Sequence, residues 1–328
     1  MTRFLLIGAA TFAGSFLATV LAIVALAHLE FARIEVADFS VPVATAEGNR
    51  DGSVRVLFVG DLMFDRYIRT AMARDGGDAV LAGVREFLQD ADLTVGNLEG
   101  PITPHASVSQ GSNVGDPTNM RFTFDPSVAG LLARHGFDLV SLGNNHIRDF
   151  GTAGVVTSRD ALDAAGIAYV GDPTGMTPEP SIRTVGGMRI AFVAYSDFVA
   201  GDADRATLAI ETAERIADAT VLVAHWGDEY EVEPPQRVRE LARRFVASGA
   251  DLVIGTHSHV IGASERISGV PVYYSLGNFV FDQYFSSDVR CGLAVTATFL
   301  QGGDRVRIET EGTRIGMRED GHTALGCS

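Results

Sequence analysis

Five apolar, β-rich runs in this chain each end on polar residues of the kinds that bind metals, and this pattern restricts the fold more than any other feature. Residues 56–59 run into Gly60-Asp61, residues 93–95 into Gly96-Asn97-Leu98-Glu99, and residues 139–142 into Gly143-Asn144-Asn145-His146. Residues 221–223 run into Ala224-His225-Trp226-Gly227, and residues 252–254 into Gly255-Thr256-His257-Ser258-His259. Short apolar runs bounded by turn residues read as buried strands. In an open α/β sheet the carboxyl ends of the strands converge on one crevice, so side chains scattered along the sequence can share a pocket there.

Helical patterns alternate with these runs. Asp78 can cap a helix with Val80, Leu81, Val84, Phe87 and Leu88 on one face. Asp125-Pro126 opens a second helix, which Gly136 stops. Residues 152–165 form a third, closed by Gly166 and followed by a strand over 167–170, and helices over 206–217 and 235–247 precede the strands that carry His225 and His257. β-like runs flank Gly186-Gly187 within 181–196 and Gly302-Gly303 within 292–310, so antiparallel hairpins join the sheet and make it mixed. The fold class is α/β, with one domain over 54–316 and a tail over 317–328.

The amino-terminal part is different. Residues 4–27 hold no charged side chain, Arg3 precedes them, and Glu30, Glu35 and Asp38 follow. That length suits a helix crossing a bilayer with its positive end in the cytoplasm. A cleaved signal peptide is the alternative, since Ala25-Leu26-Ala27 fits a cleavage site, but apolar cores of such peptides run only about 7 to 15 residues. We therefore assign 1–29 to a signal anchor and 30–53 to a linker, with the domain outside the cytoplasmic membrane. A net charge of −15 argues against nucleic acid as a partner, because phosphate backbones are bound by clustered positive charge. Cys291 and Cys327 match no zinc spacing; they either bridge the tail to the domain or stay as thiols.

Imidazole and carboxylate ligands suit zinc, manganese or iron, and four of the eight histidines fall in the strand-end blocks. A bound divalent ion lowers the pKa of its water and supplies a nucleophile near neutral pH, which is the apparatus of a hydrolase. The aromatic and acidic residues beside His225, namely Trp226, Glu229 and Tyr230, read as a substrate rim, or else as a packing ring and a solvated acidic edge. Asn144 and Asn278 are placed on the substrate side of the site; Asn278 and Asp282 alternatively orient ligands or serve a turn. Arg237, Arg239, Arg243 and Arg244 form the densest basic cluster and read as the solvated face of a helix. His28, His105, His135 and His322 lack such context.

The ordered blocks resemble those of calcineurin-like metallophosphoesterases. More specifically, Gly60-Asp61-Leu62-Met63, Asn97-Leu98-Glu99-Gly100, Asn144-Asn145-His146 with Asp149 and Gly151, His225-Trp226-Gly227-Asp228-Glu229-Tyr230 and Ser275-Leu276-Gly277-Asn278-Phe279 are similar to the CapA-type poly-gamma-glutamate or capsule biosynthesis proteins. The resemblance implies a four-layer sandwich of two mixed sheets flanked by helices, one or two divalent metals, and work on an anionic polymer or phosphoester alongside membrane synthase or export subunits. It implies that Asp61 and His259 serve one metal and Asn145, His225 and His257 the other, with Asn97 or Glu99 between them and His146, with Asp61, in the catalytic role. Two departures stand out: Met63 replaces the histidine of Asp-x-His, and Asn97 replaces a bridging aspartate. A metal-dependent hydrolase or transferase is the leading expectation. The alternatives are a non-catalytic metal-binding scaffold of a polymer synthase and a general periplasmic phosphodiesterase.

Overall fold

The computed structural model describes residues 52–171, 180–302 and 305–327. The apolar segment expected to anchor the chain and nearly all of its linker lie outside them. No helix among the described residues is long and apolar enough to cross a membrane.

Strand β1 (Ser53–Leu62) sets the architecture because both of its faces are buried. Side chains alternate along a strand, so Val54, Val56 and Phe58 enter a core shared with a second sheet and Leu57 and Val59 a core shared with helices, which Leu62 joins beyond the register shift near Asp61. Parallel to it run β2 (Leu93–Leu98), β3 (Leu139–Ser141) and β4 (Ala168–Val170). The second sheet follows, with β5 (Ser181–Val185), β6 (Met188–Ser196), β7 (Ala219–His225), β8 (Leu252–Thr256), β9 (Ser264–Ile267) and β10 (Val270–Tyr273). Its inner strands β6, β7, β8 and β10 are parallel, and β5 and β9 close its edges antiparallel. The chain then returns to the first sheet through β11 (Asn278–Val280), which pairs with β1, and the long hairpin β12 (Cys291–Gly302) and β13 (Arg305–Met317).

Helices α1 (Arg66–Asp75), α2 (Gly77–Ala82), α3 (Arg85–Gln89), α4 (Ser127–Arg134) and α5 (Gly151–Ala165) belong to the first sheet, whose helix-side core contains Ile68, Val80, Leu88, Leu131 and Leu162. Helices α6 (Asp202–Ile216) and α7 (Gln236–Ala247) pack Ile210 and Phe245 against Val193, Leu222 and Val253 of the second. The expected hairpin at Gly186-Gly187 and the closure of α5 by Gly166 are both present, the latter with the left-handed φ of 74° that glycine supplies at a helix end.

Three expectations need correction. The helix expected from Asp78 through Leu88 breaks at Gly83, where an added Cβ would lie 2.7 Å from the Thr323 carbonyl, so a crossing backbone occupies the space a helix would need. That backbone belongs to the supposed tail: Thr323–Leu325 form strand β14 on the edge of the first sheet, paired with β13, and Thr323 Oγ1 donates to the Phe279 carbonyl. The domain therefore continues past Met317. Asp78 caps nothing and instead pairs with Arg85 and Arg134. Of the two readings of the cysteines, the bridge is the one present: Cys291 and Cys327 form a disulfide with their Cα atoms 5.6 Å apart, fastening β14 to the start of β12.

Candidate metal centre

Carboxyl-terminal strand ends from both sheets meet at one place. Asp61 near the end of β1 stands in register with Asn97 on β2 and with Asn278 on β11, and Glu99 and Asn144 to His146 lie just beyond β2 and β3. His225 closes β7, and His257 and His259 follow β8. The convergence thus crosses from one sheet to the other.

Glu99, His225 and His257 each offer one ligand atom within 4.8 Å of the others, and so do Asp61, Glu99 and His259. Glu99 is common to both sets. Its Oε1 lies 3.9 Å from His225 Nε2 and 3.9 Å from His259 Nε2. Both its oxygens are buried without a hydrogen-bond partner. Burial, then the neighbouring Asp61 charge and that of Glu229, push its carboxyl well above the usual range, and so does close approach to the Asp61 carboxyl, which can share a hydrogen bond with Glu99 only when one of the two is protonated. Two acids buried side by side are costly unless a cation or protons compensate them.

The imidazoles are arranged around the same point. His225 Nδ1 is turned away, 3.0 Å from Thr256 Oγ1, while its Nε2 faces Asn145 Oδ1 at 2.9 Å and His257 Nδ1 at 3.1 Å. Burial holds the His225 ring well below the ordinary imidazole pKa, reinforced by His257, His259 and His146; burial and then His259 lower His257 against the opposing pull of Asp61. Neutral imidazole is the form that binds metals. His259 Nδ1 contacts Asn278 Oδ1 at 2.9 Å, which fixes the ring. Both loop histidines hold left-handed backbone, His257 at φ 97° and His259 at φ 59°. Non-glycine residues keep that conformation only where their surroundings over-determine it. The set of two carboxylates, three imidazoles and the Asn145 amide oxygen fits a divalent cation, and the orphaned oxygens of Glu99 are the observation that says so.

His146 lies beside this set. Its Nδ1 is 2.9 Å from Asp149 Oδ2, its ring rests 4.3 Å from that of Phe122, and Asp149 Oδ2 also accepts the Phe122 backbone N–H.

Several assignments from sequence change. Asn97 donates its amide hydrogens to Asp61 Oδ1 at 2.8 Å and toward His225 Nδ1 at 3.2 Å, while its oxygen accepts from Asn144. An amide nitrogen cannot bind a cation, and it is the nitrogen of Asn97 that faces Asp61 and His225. Asn144 spends its other bonds on the Leu98 carbonyl and on the backbone of His146 and Ile147, so it shapes the loop and has nothing left for a substrate. Trp226 is 1 % exposed, gives its indole N–H to the Tyr274 carbonyl and packs with Tyr195 and Phe245. It belongs to the core, because its side chain points to the opposite face from its neighbour His225. Asn278 is buried, with its nitrogen bound to Gln283 and the Val289 carbonyl. Met63 is also buried in the helix-side core, its sulfur accepting from the Asp65 N–H.

Tyr230, half-exposed, and Glu229 lie near the cluster, Glu229 close enough for its charge to act on Glu99. The Tyr230 ring is 6.0 Å from that of His259, and burial and then Glu229 push its hydroxyl up to about 12. Two contributors escaped the sequence reading. Half-exposed Phe198 presents its ring to His257 at 4.8 Å, and no sequence signal marks it. Arg66, at the start of α1, lies against the Phe122 and Phe281 rings beside the cluster, and its one signal is its place shortly after the Gly60-Asp61-Leu62-Met63 block. Within the basic cluster on α7, Arg237 pairs with Asp197, Arg239 with Glu233 and Glu265, and Arg244 with Asp204.

A family model described as bacterial capsule synthesis protein PGA_cap matches residues 55–283. The PGA biosynthesis protein CapA of Bacillus subtilis (strain 168) is 29 % identical over 252 residues, covering 71 % of this chain and 64 % of that protein. The capsule biosynthesis protein CapA of Bacillus anthracis is 28 % identical over 261 residues, covering 74 % and 63 %. A probable polyglutamine synthesis accessory protein of Mycobacterium tuberculosis is 26 % identical over 258 residues, covering 68 % and 66 %. The chain thus spans just under two thirds of the length of these curated relatives. Among solved structures, the calcineurin-like phosphoesterase YfkN of Bacillus subtilis superposes with a TM-score of 0.49 at 14 % identity, over 80 % of this chain and 90 % of that one.

Proposed function

The chain belongs to the bacterial capsule synthesis protein family PGA_cap, and from that premise we propose that it is a membrane-anchored, extracytoplasmic protein of capsule or poly-gamma-glutamate synthesis or export that acts on a phosphoester or polymer linkage with one or two divalent cations. The observation that carries this reading is Glu99, a buried carboxylate with two unpaired oxygens shared by two ligand sets. Asp61, Glu99 and His259 would hold one cation, and Glu99, His225, His257 and Asn145 the other. A cation bound there supplies Lewis acidity and an activated water. Around it, Asn97 and Asn278 keep Asp61, His225 and His259 in position. His146, tied through Nδ1 to Asp149, has Nε2 left to carry a proton to or from the leaving oxygen. Tyr230 and Phe198 border the approach.

The disulfide supports export, since such bonds persist outside reducing compartments, and the uncharged stretch over 4–27 supports an anchor. Manganese, zinc and iron all suit the donor set. The test is to express residues from about 44 onward, load them with each metal, and assay a generic phosphodiester and poly-gamma-glutamate with wild type and Glu99→Gln. Metal-dependent turnover of either substrate that falls at least about a hundredfold in the variant upholds the reading; no turnover with any metal refutes the hydrolase. A second reading, a non-catalytic metal-binding scaffold of a synthase, is favoured by Met63 and Asn97, which leave fewer ligands than Asp-x-His and a bridging aspartate would give. Bound metal without turnover selects it.

A further inference from the structure

We propose that Arg66 binds an oxyanion of the substrate, a carboxylate or a phosphoryl group, at the edge of the acid and histidine cluster; this rests on the reading of that cluster as the reaction site. The Arg66 guanidinium lies 5.1 Å from the Phe122 ring and 5.4 Å from the Phe281 ring. Each ring touches the site elsewhere: Phe122 lies 4.3 Å from the His146 ring and Phe281 4.7 Å from the His259 ring. The cation is therefore one ring away from the proposed proton carrier and one ring away from a ligand histidine. Glu99 and Tyr230 both feel its charge.

The guanidinium is only partly used by the protein. Nη2 pairs with Asp282, Nη1 reaches Asn119 Oδ1 at a long 3.4 Å, and Nε is buried with no partner. Nε is closed to solvent, so an oxyanion arriving at this side chain, 12 % exposed, would accept from the Nη hydrogens that Asp282 and Asn119 leave over. The planar fork of arginine matches carboxylate and phosphate oxygens two at a time, and contact with two neighbouring rings and the Asp282 pair limit the freedom lost on binding. Charge gives a further reason. The chain carries a net −15, and Arg237, Arg239 and Arg244 are ion-paired on α7; Arg66 is ion-paired too, with Asp282, but it stands against rings that touch the cluster, so its charge adds to that of any bound cation.

The test titrates the full chain in detergent, metal-free and manganese-loaded, with inorganic phosphate and separately with a short γ-linked glutamate oligomer, by calorimetry. Arg66→Gln is expected to weaken binding of the preferred probe about 10- to 100-fold, with metal content and thermal midpoint retained, and Arg66→Lys to weaken it less. Asp282→Asn, which frees the guanidinium, is expected to tighten binding. Preference for phosphate or for the oligomer identifies the oxyanion. The proposal is overturned if neither probe binds wild type, or if Arg66→Gln binds as wild type does. Should Arg66→Gln not fold, unchanged affinity in both Arg66→Lys and Asp282→Asn overturns it equally. Failure of wild type to bind manganese counts against the metal reading alone, because the metal-free titrations report on Arg66 separately.

Discussion

A carboxylate closed off from both water and hydrogen-bond donors must meet a cation or keep its proton, and Glu99 is in that position. Its folded-state pKa is raised, so its contribution to stability is complete below the unfolded value of about 4.3 and is lost as pH rises through the raised folded value. The metal-free protein should accordingly weaken from mildly acidic toward neutral pH. Glu99→Gln should make it more stable than wild type at pH 7.5 by about 1–3 kcal/mol and confer no such gain at pH 4, as read by thermal or urea unfolding; equal stability at pH 7.5 would contradict the assignment. Asp149→Asn removes the carboxylate that holds His146 and should lower kcat roughly tenfold or more with bound metal unchanged, whereas loss of metal would place Asp149 among the ligand supports. At this scale the structure brings Asp61, Glu99, His225, His257 and His259 together, and what marked them in the sequence is that each lies at or within a few residues of the end of a buried strand. Trp226 was left open between rim and packing ring, and Asn144 was placed on the substrate side, because a neighbour of a ligand looks the same in sequence whether it faces the pocket or the core. Only the alternation of side chains about His225 and the hydrogen bonds around Asn144 decide which.

Strand ends hold the ligands only if the backbones approach closely. A Cβ at Gly60 would lie 1.8 Å from the Gly277 carbonyl, the acceptor of the Asp61 N–H at 3.0 Å. Gly60→Ala should therefore force β1 and the segment before β11 apart, costing about 3 kcal/mol or more and weakening metal binding. A variant of native stability and metal content would remove this role. The disulfide closes a separation of 36 residues between β12 and β14, so reduction or the Cys291→Ala/Cys327→Ala pair should cost roughly 3–4 kcal/mol in urea unfolding; no change would mean that β14 is held by its pairing and by Thr323 alone. Elements with long apolar or helical periods were readable: β1, α5, α7 and the hairpins of β5 with β6 and β12 with β13. What escaped were elements defined by distant partners. The three residues of β14 carry no strand signal of their own, and the break between α2 and α3 arises because β14 crosses at Gly83.

For the molecule as a whole, the claim is that two sheets, packed face to face with helices on their outer faces, bring acids from one and imidazoles from the other to shared cations. The α/β class and the mixed sheets followed from strand and turn patterns, whereas the division into two sheets was expected only from family resemblance, since periodicity says which residues are buried and not against which layer. The most direct measurement is the metal content and divalent-ion affinity of the protein from about residue 44 onward, for wild type, Glu99→Gln and His257→Ala. One or two equivalents of manganese, zinc or iron bound by wild type, and lost or weakened at least about a hundredfold in Glu99→Gln, is the result expected. Wild type that binds none of these ions, or a Glu99→Gln variant that binds them as tightly as wild type, would contradict it.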